Sequence, residues 1–221
     1  IIPVLIFSIH PLFNSNVAWL PARGDQLLTL FAIISFNFFI KYIQTKKIVN
    51  IIIHSITLFL ALLSKETAVI LPLIFIFYLI FTDIKKSKIE FLFSIASWLI
   101  LVGIWYELRS NAIESLPENQ IFGLIPLLEN LPVFSEYLAK FALPIKLQLL
   151  PIYTYMNSIF GIFVISGIIF LIFSSKREHK KLIIFGLIWY FLITLPGALY
   201  SRNYPNTIEF YQYLDHRAYL S

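Results

Sequence analysis

The chain has no cysteine, one methionine, seven glycines and only 13% charged residues among its 221. Without cysteine there is no disulfide frame, no thiolate metal site and no catalytic thiol. The four histidines, His10, His54, His179 and His216, are too scattered for metal-ligand spacing. The scarcity of charge excludes more. Soluble domains are about half apolar and about a quarter charged; here 59% of residues are hydrophobic and 17% aromatic, with a mean hydropathy of +0.82. So much apolar surface cannot be hidden in one water-soluble core, and it comes in blocks about as long as a bilayer is thick. The net charge of +5 does not point to nucleic acid, because the basic residues sit in short turns between these blocks, as in membrane proteins.

A hydrocarbon layer about 30 Å thick needs roughly 17–25 mostly apolar residues per helix. Six blocks qualify: about 26–44, 48–63, 67–82, 89–106, 157–174 and 182–199. The second and third are short, with a break expected near Ser64. Ile1 to Ile9 look like the end of a seventh, truncated span. The chain opens without Met, shows no signal-peptide cleavage pattern and is expected to be an internal piece of one larger transmembrane domain. The expected fold is therefore all-α: a polytopic transmembrane helix bundle with six full spans and one truncated span.

Sidedness follows from Lys and Arg. The turns carrying Lys41, Lys46 and Lys47, then Lys85, Lys86 and Lys88, then Lys176, Arg177, Lys180 and Lys181 alternate with the other connections. With Asp83, Glu90 and Glu178 they put a net +7 on one side and leave −2 on the other, which together make the +5 of the chain. The positive-inside rule assigns the +7 side to the cytoplasm. The other side then holds four segments: about 10–25, the Ser64–Lys65–Glu66 turn, 107–156 and 200–221. Within 107–156, Val133, Phe134, Tyr137, Leu138 and Phe141 make one helical stripe, with Ser135, Glu136 and Lys140 opposite. Bounded by Pro132 and Pro144, this segment is expected to be an amphipathic helix in the interface plane. A helix packed against protein is the alternative.

Four outer patterns are too polar to be bilayer filler. In His10–Gln26, His10, Asn14, Asn16, Arg23 and Asp25 stand just outside a helix end. Asp25 suits the positive end of a helix dipole, either as a cap paired with Arg23 or as part of a head-group site shaped by Trp19 and Pro21. In Leu62–Pro72, Lys65 and Glu66 interrupt two apolar runs and must reach the interface or a polar cavity. Ser64 and Thr67 offer capping as the plainer role; alternatively an anion, Glu66 or a phosphate, offsets Lys65. In Tyr137–Tyr153, Lys140 and Lys146 suit snorkelling to the head groups. In Tyr213–Leu220, Asp215, His216 and Arg217 are consecutive. An Arg suits a phosphate and a His proton transfer; a solvated charge cluster is the alternative. At bilayer depth, His54 and Asn37 are expected to hydrogen-bond neighbouring helices.

These patterns, in this order and on one side, resemble the multispanning GT-C glycosyltransferases, in particular the membrane part of the transmembrane and tetratricopeptide-repeat O-mannosyltransferases and their bacterial relatives. The residues that match are His10, Pro11, Val17, Ala18, Trp19, Arg23 and Asp25 in the first motif and Leu62, Leu63, Ser64, Lys65 and Glu66 in the second. Pro144, Leu147 and Tyr153 match the third; His216, Arg217, Tyr219 and Leu220 match the last, with Asp215 in place of Glu and Ser221 in place of Pro. The resemblance implies transfer of a sugar from a polyprenyl-phosphate-linked donor to an acceptor protein or glycan on the non-cytoplasmic face. It implies a multi-pass protein of the plasma membrane if bacterial, or of the endoplasmic reticulum if eukaryotic. Arg23, Lys65 and Arg217 become candidates for the donor phosphate, and Asp25 and His216 for the acceptor or for holding those cations. His10, Trp19, Glu66 and Asp215 are supporting residues. The main catalytic acid is expected upstream of residue 1, no metal is implied, and the lipid-linked sugar takes the place of a cofactor. A transporter or lipid flippase, or a non-catalytic membrane scaffold, is the alternative.

Overall fold

The computed structural model describes residues 5, 9–13, 20–82, 88–112, 120–144, 147 and 155–202. They are almost entirely helical and fall into two compact units, one of 24–116 and one of 1–23 with 117–221.

In the 24–116 unit, α1 (Arg23–Thr45) and α2 (Ile48–Ser64) form a hairpin. A 3-10 turn at Glu66–Ile70 leads into α3 (Leu71–Phe81), and α4 (Lys88–Ala112) closes the unit. The α1–α2 turn is made by Lys46, whose backbone takes the left-handed conformation (φ 59°) while its N–H bonds Tyr42 O at 2.8 Å. The polar side chains at depth are fastened to one another. Trp98 Nε1 of α4 donates to His54 Nε2 of α2 at 2.8 Å. An indole nitrogen only donates, so Nε2 bears the lone pair and Nδ1 the proton. Nδ1–H donates in turn to Ser35 O of α1 at 3.0 Å. Phe39 and Phe75 pack around this imidazole. The bonds expected of His54 are there. Asn37 is different: it is exposed and donates to Ile33 O of its own helix, so it links no neighbour.

In the other unit, β1 (Gln120–Phe122) pairs antiparallel with β2 (Tyr200–Arg202), Phe122 opposite Tyr200. Between them in sequence come α5 (Leu124–Glu129), α6 (Leu131–Ala142), α7 (Tyr155–Ser174) and α8 (Arg177–Ala198). Gly123 supplies the positive φ (141°) that turns β1 into α5. Asn130, buried before α6, donates to Ala198 O at 3.1 Å, Tyr190 OH donates to Phe134 O, and Phe141 and Ile183 line the same apolar cavity of about 300 Å³. α6 thus runs antiparallel to α8 and packs along α7 for its length.

Helices form on all six apolar blocks. Four of them, Arg23–Thr45, Lys88–Ala112, Tyr155–Ser174 and Arg177–Ala198, are long and apolar enough to cross a membrane; Ile48–Ser64 and Glu66–Phe81 are shorter apolar helices. α4 runs six residues past its expected end and α8 starts five residues before its expected start, because charged residues end hydrophobicity without ending a helix. Apart from Leu5 and Ile9, the truncated first span lies outside the described residues.

The 131–142 helix forms where expected and packs against protein. Val133, Phe134 and Tyr137 are buried in a core with Leu12, Tyr190 and Ala198, so most of the apolar stripe faces protein, while Phe141 at its end stays 47% exposed. The polar face is buried too: Glu136 is 0% and Lys140 2% exposed. Their head groups lie 3.9 Å apart at i,i+4. Lys140 therefore does not snorkel. Two neighbouring helices offer apolar surface to one stripe, and mutual neutralisation lets the other face turn inward.

Candidate functional site

The charges of the Ser-Lys-Glu turn meet partners from other helices. Gly24 sits so close to the end of α2 that an added Cβ would lie 3.3 Å from Ser64 O. This close approach lays Lys65 over the first turn of α1, where its ammonium pairs with Asp25 Oδ1. Asp25 is buried, and Lys65 keeps about a quarter of its side chain exposed. One residue on, Glu66 pairs with Arg109 in the last turn of α4. Arg109 also stacks over Trp105 one turn earlier, 5.5 Å from the ring centroid. This second pair is open to solvent, with the Arg109 side chain 36% and the Glu66 side chain 55% exposed.

Three of the four charges sit at helix ends that favour them, and Lys65 stands between two ends, after α2 and before the Glu66–Ile70 turn. Asp25 and Glu66 lie in first turns, where backbone N–H groups are free; Lys65 follows the last residue of α2 and Arg109 lies in the last turn of α4, where carbonyls are free. Lys65 therefore complements the dipole of α2. The capping role of Ser64 does not hold: its hydroxyl turns back to Leu60 O at 2.7 Å. Nor does either pairing between sequence neighbours. Asp25 takes Lys65 rather than Arg23, and Glu66 takes Arg109 rather than Lys65.

No family model, curated protein or solved structure matches the chain. In the inner pair Asp25 is buried and Lys65 only about a quarter exposed. The outer pair, Glu66 with Arg109, leaves a planar guanidinium accessible on an aromatic face, a donor set suited to two oxygens of an anion.

Arg23 opens α1 and is exposed. His10 belongs to the other unit and has a structural partner: its Nδ1 accepts from Leu12 N–H at 3.3 Å, so Nε2 bears the proton and donates to Phe141 O at 2.9 Å. Phe141 lies in the last turn of α6, where carbonyls have no partner within the helix, so His10 ties its own segment to that helix end. Trp19, Asp215, His216 and Arg217 lie outside the described residues, as do Lys146 and Tyr153. Arg109 was missed by sequence reasoning because the apolar block of α4 ends at Glu107. The available signal was the Trp105–Arg109 spacing, one turn apart, if α4 is carried past its apolar stretch.

Proposed function

We propose that this chain is part of an integral-membrane glycosyltransferase of the GT-C type, moving a sugar from a polyprenyl-phosphate-linked donor to an acceptor on the non-cytoplasmic face. The observation that carries the proposal is the pair of ion pairs at one end of the 24–116 unit: Asp25–Lys65 and Glu66–Arg109. A lipid-linked donor reaches an enzyme from the bilayer, and its phosphate leaving group requires cations where the apolar helices end. Both pairs stand at such helix ends, away from the Lys46–Glu90 pair, 3.4 Å, at the opposite end of α1 and α4. In this scheme all six apolar helices cross the bilayer, and the Lys65 and Arg109 end faces away from the cytoplasm.

The two pairs divide the work. Lys65 fixes Asp25 and the start of α1; Arg109, more exposed, exchanges Glu66 for the donor phosphate. Arg23 and Arg217 are further phosphate candidates, since an exposed ion pair alone contributes only about 0–1 kcal/mol. Asp25, buried against Lys65, serves to hold that cation. His216 stays a candidate for proton transfer to or from the acceptor.

The test is sugar transfer from a labelled polyprenyl-phosphate donor in membranes containing the full-length protein. Arg109→Ala is expected to lower turnover about tenfold or more at unchanged protein level, the loss of one charged hydrogen bond being worth about 1.5–3 kcal/mol. Arg109→Lys should recover only part of it, lacking the planar fork. Lys65→Met should act differently, lowering the amount of folded protein by leaving Asp25 buried without its partner cation. Wild-type turnover by Arg109→Ala would contradict the assignment.

A further inference from the structure

The segment between β1 and the start of α6 turns an unusually apolar face outward. Phe122 is 73%, Leu124 74%, Ile125 68%, Leu128 66% and Leu131 52% exposed. In α5, Pro126 is buried and Leu127 packs against the core of its unit, whereas Leu124, Ile125 and Leu128 share the opposite arc. Glu129, at the rim of that arc, is the only charged residue of 121–131. In water such a contiguous patch marks a binding surface.

What it meets is set by where the segment is tied. Gly123 N–H bonds Leu199 O at 3.1 Å, Asn130 Nδ2 bonds Ala198 O and Tyr200 O, and Phe122 pairs with Tyr200. All three ties fall at the C-terminal end of α8. The apolar stretch of α8 from Leu182, after Lys180 and Lys181, to Ala198 rises about 25 Å, short of the roughly 30 Å of a bilayer core. With those lysines at one head-group layer, Ala198 and the segment bound to it lie just inside the opposite one. The first turn of α7 reaches the same end and is also apolar and exposed, Tyr155 by 78% and Met156 by 71%, so the patch continues a lipid-facing surface.

We propose that residues 121–131 form an interfacial foot, with Phe122, Leu124, Ile125 and Leu128 inserted at the boundary of acyl chains and head groups in the leaflet at the C-terminal end of α8. The occupant is bilayer lipid. The inference rests on α7 and α8 crossing a membrane and is independent of glycosyl transfer.

The cysteine-free chain allows a direct test. Single cysteines at Leu124, Leu128 and Glu129, each carrying an environment-sensitive fluorophore, are placed in the full-length protein in phosphatidylcholine vesicles. At 124 and 128 the emission should be blue-shifted and quenched by nitroxide-labelled lipid, with little loss to aqueous iodide; at 129 iodide should quench more. Iodide quenching at 124 and 128 equal to that at 129 would overturn the proposal. So would protection at both sites from both quenchers, which would mean that protein covers the patch. Protein that fails to float with the vesicles would instead overturn the membrane assignment beneath it.

Discussion

At the scale of single residues, buried charge separates what spacing can tell from what packing decides. Glu136 and Lys140 have the i,i+4 spacing of an exposed polar face, on which Glu136 would be replaceable at little cost. Both are buried, so the expectation reverses. Glu136→Gln should destabilise the protein by on the order of 3 kcal/mol, since it removes the carboxylate facing a buried ammonium. Glu136→Gln combined with Lys140→Met should regain most of that loss. The thermal unfolding midpoint of purified protein in nanodiscs measures both; an unchanged midpoint for the single variant would mean that the pair contributes nothing to the fold. The charges of the outer patterns were legible as charges at helix ends, but their partners were not. Asp25 and Lys65 are 40 residues apart, and only the close approach at Gly24 brings them together. That His54 bonds to neighbouring helices was legible, because a lone imidazole at depth needs partners; that Ser35 and Trp98 supply them was not.

At the scale of elements, the apolar blocks located the helices well and their ends less well. Hydropathy senses where a segment leaves lipid, whereas backbone hydrogen bonding continues through Glu107 to Ala112 in α4 and begins at Arg177 in α8. The environment of α6 was the harder problem. An amphipathic stripe is the same whether lipid or protein covers it, and what decides is the surface that α7 and α8 present. Gly161 is the key to that surface: a Cβ there would lie 2.0 Å from Ser135 O, so the helices touch backbone to backbone. Gly161→Ala should push α6 from α7 and cost about 1–3 kcal/mol. Gly167→Ala in the same helix, with nothing within 4 Å of the added carbon, should be neutral or stabilising by up to about 1 kcal/mol. Unfolding midpoints of the two variants test the contact. Equal midpoints would show that the backbone approach does not hold α6 in place.

At the scale of the whole molecule, composition indicated lipid, and four helices have the length and apolarity to cross it. Charge patterning supplies the orientation that we propose. Cysteines at Gln26 and Ser64 should react with impermeant thiol reagents from outside intact cells or spheroplasts, and those at Lys47 and Ser175 should not. Reversed labelling would put Arg109 on the cytoplasmic side and remove the reason for grouping the outer patterns. Recognition of a phosphate on a lipid carrier at the Glu66–Arg109 pair underlies the proposed chemistry. Native mass spectrometry of the protein released from nanodiscs, with polyprenyl phosphate or the matching neutral polyprenol added, tests it most directly. The expected result is a bound adduct with the phosphate alone, reduced about tenfold or more in Arg109→Ala by the loss of a charge-assisted contact. Equal binding of phosphate and alcohol, or a phosphate adduct untouched by Arg109→Ala, would contradict it.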